Sequence, residues 1–281
     1  MAVGLNLWLS ALIVLGAVAV VVALMLAVRR RAPEGGFFND SDRAAGVFGV
    51  VGTSFSVLLA FVIFLAFGTY TDASEESAHE ADAVIDQFEI AELLTPADRD
   101  LVQSHLVCYG RAVVRDEWPR MRDGARSAVV DEWVLDLDHA IEAVDLTTSR
   151  QQSAFDKFFD ETIEREAGRR GRLEEANGVV PAPMWFILLL GAGCVLGYVL
   201  LFADRGERAI PQAAMIGIVT ALTVTSLLLV DFLDHPYRNK TGSIRPTSME
   251  LALDTMERER HTDIVICDDR GVPTAVSAAR P

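Results

Sequence analysis

Two threonines and two aspartates lie at helical spacing in and just after the uncharged run at residues 209–230. The residues that share this helix face are Thr220, Thr223, Asp231 and Asp234. Carboxylates at the end of an apolar run are costly unless they meet water, a cation or a basic partner. In an oligomer they would form a ring that attracts cations, so the face is a candidate pore lining. The alternative is an interfacial ion pair with Arg238 or Lys240.

A second face of small and hydroxyl side chains lies in the uncharged run at residues 44–70. Its members, spaced three or four residues apart, are Gly46, Gly49, Thr53, Ser56 and Ala60. Hydroxyl groups can replace part of an ion's hydration shell, which makes this face a second candidate pore lining. The alternative is close helix packing, which small side chains also favour.

Other chemistry is weakly indicated. His79, Asp82 and Asp86 have the helical spacing of a divalent-metal site, but a solvated charged face explains them better. The three cysteines fall in separate segments, so we predict neither a disulfide nor a cysteine metal site. No Ser, His and Asp residues stand in a persuasive catalytic order. We therefore expect no enzyme activity and no cofactor.

These faces belong to four long uncharged runs, at residues 5–28, 44–70, 179–203 and 209–230. A hydrocarbon core about 30 Å thick needs roughly 20 apolar residues at 1.5 Å each, so every run is long enough to span a bilayer. The run at 5–28 is too long for a typical cleavable signal core and is followed by Arg29, Arg30 and Arg31. We expect it to remain as a span.

The acidic residues are concentrated between the second and third runs. Residues 71–182 contain 26 acids and 12 bases, a net charge of −14. This surface should repel nucleic acid and attract inorganic cations. The chain thus divides into a first membrane helix pair at 1–70, an acidic soluble helical insert at 71–178, a second membrane helix pair at 179–233, and a polar tail at 234–281.

The insert has helical periodicity throughout. Apolar residues from Ala73 to Ala91 predict that the second membrane helix continues to about Leu94. Further helices are predicted after Thr95-Pro96, around Trp133 and after Thr147-Thr148. The apolar positions of the last one are Phe155, Phe158, Phe159 and Ile163. We predict an all-α, four-span integral membrane protein with a soluble four-helix bundle between spans two and three.

The tail is predicted to contain one short amphipathic helix. Residues 247–250 have the Thr-x-x-Glu pattern of a capping box, and Met249, Leu253 and Met256 follow on one side. The last twenty residues are small and polar, which predicts a loose segment.

The membrane orientation follows from the arginines. The loop at 29–43 carries four of them and the loop at 204–208 carries two, which places both loops in the cytoplasm. The insert and the tail of this multi-pass protein of the cell (inner) membrane would then be extracytoplasmic. Arginines before the third span and bases after the fourth oppose this assignment. We give more weight to the first pair of spans, because residues 1–6 and 71–90 contain no base.

Short motifs in this order resemble a known family. They are Phe38-Asn39-Asp40, Ala45-Gly46, the stretch from Leu58 to Val62, Tyr70, Ala73, Glu80-Ala81, Glu117-Trp118-Pro119, Asp234-His235-Pro236-Tyr237, Gly242 and Pro246. Over about residues 1–260 the chain is similar to bacterial bestrophin-like proteins. The chain departs from the pattern at Tyr237, where phenylalanine is expected, and in its extra tail.

The resemblance implies kinship with pentameric bestrophin ion channels. It also implies a cytosolic helical domain, which conflicts with the orientation that the arginines predict. Because of this resemblance, the motif residues are candidate functional residues: Glu117, Trp118, Pro119, Asp234, Pro236 and Tyr237. For residues 234–237, a rigid turn at the end of the helix is a better explanation than proton handling by His235.

Two function classes remain open. The first is a homo-oligomeric ion channel or permeation protein with cation preference. The second is a membrane-anchored sensor or scaffold whose acidic helices bind a ligand or a protein partner. The cytoplasmic loops predicted above are too short for an output module, which favours the channel.

Overall fold

The computed structural model of the protein describes residues 2–33, 35–178, 180–262 and 265–274. These residues form α-helices and contain no named strand, only an isolated bridge between Cys267 and Pro273. The α-helices are α1 (Ala2–Arg31), α2 (Ser41–Ile90), α3 (Pro96–Ala112), α4 (Trp118–Met121), α5 (Ala128–Glu142), α6 (Ser149–Glu175), α7 (Ala182–Leu200), α8 (Ala209–Asp234) and α9 (Thr247–Glu259). A 3₁₀ turn (Ala91–Leu93) follows α2, and a π-helical segment (Val113–Glu117) joins α3 to α4.

Four helices, α1, α2, α7 and α8, are long and apolar enough to cross a membrane. Their 18-residue windows reach mean hydropathies from 2.0 to 3.1. The all-helical class and the four spans predicted from the sequence are therefore confirmed.

The second span continues far beyond bilayer length, as predicted. Helix α2 has 50 residues and ends at Ile90, four residues before the predicted end. The next helix begins as the sequence indicated: the Thr95 hydroxyl accepts a hydrogen bond from the Asp98 amide at 3.4 Å, and Pro96 occupies the first turn. Thr148 similarly caps α6 in a capping box with Gln151.

The chain separates into two compact units. The membrane unit comprises residues 1–69, 179–234 and 240–242, and the polar unit comprises residues 70–178, 235–239 and 243–281. In the membrane unit, Phe55, Leu59 and Leu188 belong to one apolar cluster, and α1 packs along α8. Gly191 of α7 lies against the Phe55 ring so closely that an added Cβ would be 2.5 Å from it.

The core of the polar unit follows the predicted periodicity in α5, where Val130, Trp133 and Leu137 are fully buried. The pattern predicted for α6 is partly wrong, because Phe159 and Ile163 are 58% and 54% exposed. The buried face of α6 instead contains Phe158, Thr162, Arg165, Gly168 and Arg172. An added Cβ at Gly168 would lie 2.7 Å from the Glu80 amide nitrogen, so this face of α6 packs directly against the backbone of α2.

The cysteine prediction is wrong. Cys108 of α3 and Cys267 of the tail form a disulfide, with their Cα atoms 5.8 Å apart. They are 159 residues apart in sequence, and no spacing rule connects cysteines so distant. Cys194 is a free cysteine in α7.

One prediction about the tail fails, and a second fails for the residues that the structure describes. Helix α9 begins at Thr247 with Pro246 at its N-cap and no side-chain cap, so the predicted capping box does not form. Residues 265–274 are held in place rather than loose: the Trp133 indole N–H donates to the Gly271 carbonyl, and Gly271, at φ +75°, lies against the backbone of α3. Residues 263–264 and 275–281, which also belong to the segment predicted to be loose, lie outside the described residues.

Candidate functional site

The small-residue face of α2 is uncovered within the membrane unit. Its five members, Gly46, Gly49, Thr53, Ser56 and Ala60, are exposed. An added Cβ at Gly46 or Gly49 would meet no atom within 4 Å. Gly49, Thr53, Ser56 and Ala60 line a shallow groove of about 470 Å³. The face therefore does not serve to pack helices within one copy of the described chain.

In contrast to the exposed face of α2, the hydroxyl face of α8 is buried. Thr220 is fully buried and its hydroxyl donates to the Ile216 carbonyl of the same helix at 2.7 Å. Thr223 is also buried. These two hydroxyls lie inside the unit, where they contribute to packing.

Asp234 is buried at the end of α8 and bonded to the start of α7. Its carboxylate accepts hydrogen bonds from the Val180 amide at 2.8 Å and from the Trp185 indole N–H at 3.3 Å. A carboxylate at a helix N-terminus is favoured by the helix dipole. Asp234 thus joins the last two spans, a role that its spacing along α8 did not indicate.

Asp231 remains partly exposed. Its carboxylate forms an ion pair with the Lys240 ammonium at 2.8 Å, and the two side chains are 34% and 36% exposed. This is one of the two pairings that the sequence offered as the alternative to a pore role. A pair of this exposure contributes little stability, about 0–1 kcal/mol, so it does not by itself explain the residue.

The polar unit encloses a cluster of buried charges. Arg172 of α6 donates to Glu80 of α2, with Nε–Oε2 at 2.5 Å, and to Glu117, with Nη2–Oε2 at 2.8 Å. All three side chains are at most 1% exposed. Burying charges is expensive, and the cost is offset only by this kind of pairing and hydrogen bonding.

Three further residues complete the charge cluster. Arg169 donates to Glu117 at 2.6 Å and to Asp131 at 2.8 Å, and the Tyr109 hydroxyl donates to Glu80 at 2.7 Å. Burial lowers the pKa of Arg172, but the charges of Glu80 and Glu117 outweigh it and hold that pKa above its ordinary value. Burial and the charge of Glu80 raise the pKa of Tyr109.

The family-like motifs meet around this cluster. The Trp118 ring lies 5.2 Å from the Arg172 guanidinium and edge-on to Tyr237 at 5.4 Å. The Tyr237 hydroxyl donates to the Ala73 carbonyl at 2.9 Å. Pro236 is buried, whereas Pro119 is exposed in the first turn of α4. Glu117, Trp118 and Tyr237 therefore support the folded state of the polar unit.

Sequence reasoning missed Arg169 and Arg172, the basic residues of the charge cluster, and the neighbouring Arg165. Arg165, Arg169 and Arg172 are spaced i, i+4 and i+7, which places them on one side of α6. From the sequence alone they read only as basic residues before the third span. The signal that could have identified them is Gly168 among them, which indicates a helix face in close contact with another element.

Among the residues that the structure describes, no group of three or more His, Cys, Asp or Glu side chains is arranged to hold an ion. His79, Asp82 and Asp86 are not brought together as a metal site.

The arrangement defines a helical membrane protein with an additional charged helical unit. A family model described as the bestrophin-like domain matches residues 10–249. The chain therefore belongs to the bestrophin-like family, as its motifs predicted. No curated protein matches it.

Solved structures of a bacterial bestrophin homologue from Klebsiella pneumoniae are similar in fold. One variant of that homologue has a TM-score of 0.65 and 13% identity, over 87% of this chain and 98% of the other. A second variant has a TM-score of 0.67 and 12% identity, over 87% and 96%. A structure of the homologue solved by zinc phasing gives 0.65 and 13% over the same shares as the second.

Proposed function

We propose that this protein is a homo-oligomeric ion channel of the inner membrane with a preference for cations. The observation that carries the proposal is the uncovered face of α2, where Thr53 and Ser56 are exposed among small residues and no described helix of the same copy covers them. Hydroxyls on an apolar helix are better placed against another helix or water than against lipid. Membership of the bestrophin-like family supports a channel at the level of class.

The cation preference rests on Asp231. Asp234 is enclosed within its own unit, whereas Asp231 is about one-third exposed and its charge is partly balanced by Lys240. Repeated around an oligomer, Asp231 would supply the negative ring and Lys240 would weaken it. An unscreened unit charge 6 Å away, at an effective dielectric near 20, is worth roughly 3 kcal/mol, so an imbalance between the two rings would bias selectivity.

The test is the reversal potential of the purified protein in planar bilayers under a KCl gradient. We expect a cation-selective current. Asp231→Asn should shift the reversal potential towards zero, and the matched variant Lys240→Gln should shift it the other way. An anion-selective current would refute the cation preference, and a reversal potential indifferent to both variants would remove Asp231 and Lys240 from the mechanism. A monomeric mass in nanodiscs would refute the channel itself.

We also propose that the polar unit lies outside the cytoplasm. The Cys108–Cys267 disulfide supports this orientation, because disulfides persist in oxidising compartments and are rare in the bacterial cytosol. The four arginines at residues 29–43 support the same assignment.

Single cysteines test the orientation. The background is Cys194→Ser with the disulfide intact. In this background Ser153→Cys, at an exposed position of α6, should react with a membrane-impermeant maleimide in intact cells. The matched control, Ser41→Cys at the exposed first residue of α2, should react only after permeabilisation. The reverse pattern would place the polar unit in the cytosol.

A further inference from the structure

The polar unit contains a cavity of about 530 Å³ with an unusual wall. Four arginines line it: Arg126, Arg165, Arg169 and Arg170. Residues 71–182 contain only 12 basic residues and 26 acidic ones, so a third of the bases surround one cavity in a strongly acidic segment. Of these four arginines, only Arg169 belongs to the charge cluster described above.

Arg165 is the most informative of the four. Its side chain is fully buried, yet none of its three guanidinium nitrogens has a hydrogen-bond partner among the described residues. The nearest carboxylate is that of Asp138, 3.8 Å from Nη2, and the Tyr109 ring lies 5.1 Å from the guanidinium carbon. A guanidinium has five N–H donors, and buried donors without acceptors are costly. Arg165 therefore lacks the acceptors that its burial requires.

The other arginines differ in how far they are neutralised. Arg169 is paired with Glu117 and Asp131, and Arg126 lies 3.4 Å from Asp131. Arg170 is exposed and has no carboxylate within 4.0 Å among the described residues. The acidic residues on the wall, Glu166 and Glu174, are exposed to solvent. The least neutralised positive charges on the wall are thus those of Arg170, which is exposed, and Arg165, whose nearest described carboxylate is Asp138 at 3.8 Å.

We propose that this cavity binds a small organic anion through a carboxylate or phosphate group placed on Arg165, with Arg170 at the entrance. Arginine forms paired hydrogen bonds with both groups. Val134 and Leu173 supply an apolar wall for the rest of the ligand, and the volume is that of a small-molecule site. A macromolecular anion is disfavoured, because the net charge of −14 over residues 71–182 would repel it.

This site goes beyond the proposed channel and does not depend on it. Ligand binding can be measured in a protein that carries no current, so failure of one proposal is distinguishable from failure of the other. The site would also supply the ligand that the sensor alternative requires.

The experiment measures thermal unfolding of the full-length protein in nanodiscs by intrinsic fluorescence. Sodium phosphate and sodium butyrate are the two probes, each titrated against NaCl at constant ionic strength. We expect at least one probe to raise Tm with a saturable dependence, because a ligand that binds only the folded state stabilises it. A response to phosphate alone or to butyrate alone supports the site and identifies its head-group preference.

Two variants test the assignment. Arg165→Gln should weaken the apparent affinity roughly tenfold to a hundredfold, which corresponds to losing a hydrogen bond to a charged group. Arg170→Gln, an exposed change that leaves the core intact, should weaken it less. The matched control is Arg150→Gln, an exposed arginine outside the cavity wall, which should leave the response unchanged.

Three results would overturn the proposal. The first is no saturable response to either probe. The second is an equal response in the wild type, Arg165→Gln and Arg170→Gln. The third is a change of oligomeric mass in Arg165→Gln without a change in probe binding, which would assign the guanidinium to a contact with a second copy.

Discussion

The small-residue face of α2 and the charge cluster of the polar unit differ in whether their polar side chains are exposed or buried. In the membrane unit, Thr53 and Ser56 are left uncovered on the outside of the protomer. In the polar unit, Glu80, Glu117 and Arg172 are removed from solvent and satisfied by one another. Substitutions in the cluster should therefore act on the folding of one chain, whereas substitutions on the α2 face should act on association between chains.

The largest effect is expected from Arg172→Gln. The change leaves the carboxylates of Glu80 and Glu117 buried with fewer partners, and breaking a buried ion pair costs about 3–5 kcal/mol. The measurement is resistance to thermal unfolding in detergent, with exposed Arg150→Gln as the control. Equal unfolding temperatures for the two variants would show that the charge cluster does not hold the polar unit together.

Removing the disulfide should have the next largest effect. Cys108→Ser opens a link between residues 159 apart, and loss of a native disulfide typically costs about 2–5 kcal/mol. The double variant Cys108→Ser with Cys267→Ser should be no less stable than the single one, because the bond is already broken. Full stability of the single variant would contradict this prediction.

Acid should weaken the charge cluster. Burial raises the pKa of Glu117, but Arg169 and Arg172 outweigh it and hold the pKa below its ordinary 4.5. Because the folded-state pKa is the lower one, the stabilisation is present above pH 4.5 and is lost as pH falls through the folded value. Glu117→Gln should remove this part of the pH dependence in unfolding experiments between pH 6 and pH 3, and an unchanged profile would assign the loss to other groups.

The smallest effect on a single chain is expected from Gly49→Leu. Nothing lies within 4 Å of the added side chain's first atom, so protomer stability should change by less than about 0.5 kcal/mol. The proposed oligomer should dissociate, because leucine would separate helices that pack closely between copies in that proposal. Gly191→Leu is the matched contrast, since Phe55 occupies its space and the protomer itself should be destabilised. Native mass measurement and thermal unfolding distinguish the two outcomes.

Much of the fold could be predicted because it depends on local patterns. Uncharged length identified the four spans, and Thr95, Pro96 and Thr148 marked helix starts through interactions with neighbouring residues. What sequence alone did not provide depends on long-range pairing. Cys108 forms a disulfide with Cys267, and Asp234 accepts hydrogen bonds from Val180 and Trp185. No sequence periodicity indicates pairings across these separations.

The candidate sites follow the same division. Helical spacing grouped Thr220, Thr223, Asp231 and Asp234 on one side of α8, but it could not say which of them neighbouring helices cover. The burial of arginines in α6 could not be predicted either. In a highly charged stretch of sequence, buried and exposed bases cannot be distinguished until the partner helix is known.

The disulfide also has a consequence for biosynthesis. Cys108 precedes α7 and α8, whereas Cys267 follows them, so the bond closes a ring that contains the last two spans. During translation the first thiol has to wait for most of the remaining polypeptide to be made. An oxidised molecule is consequently one in which the ribosome has passed the final membrane helix, and a single protease cut anywhere between the two cysteines would leave both fragments migrating together on a non-reducing gel.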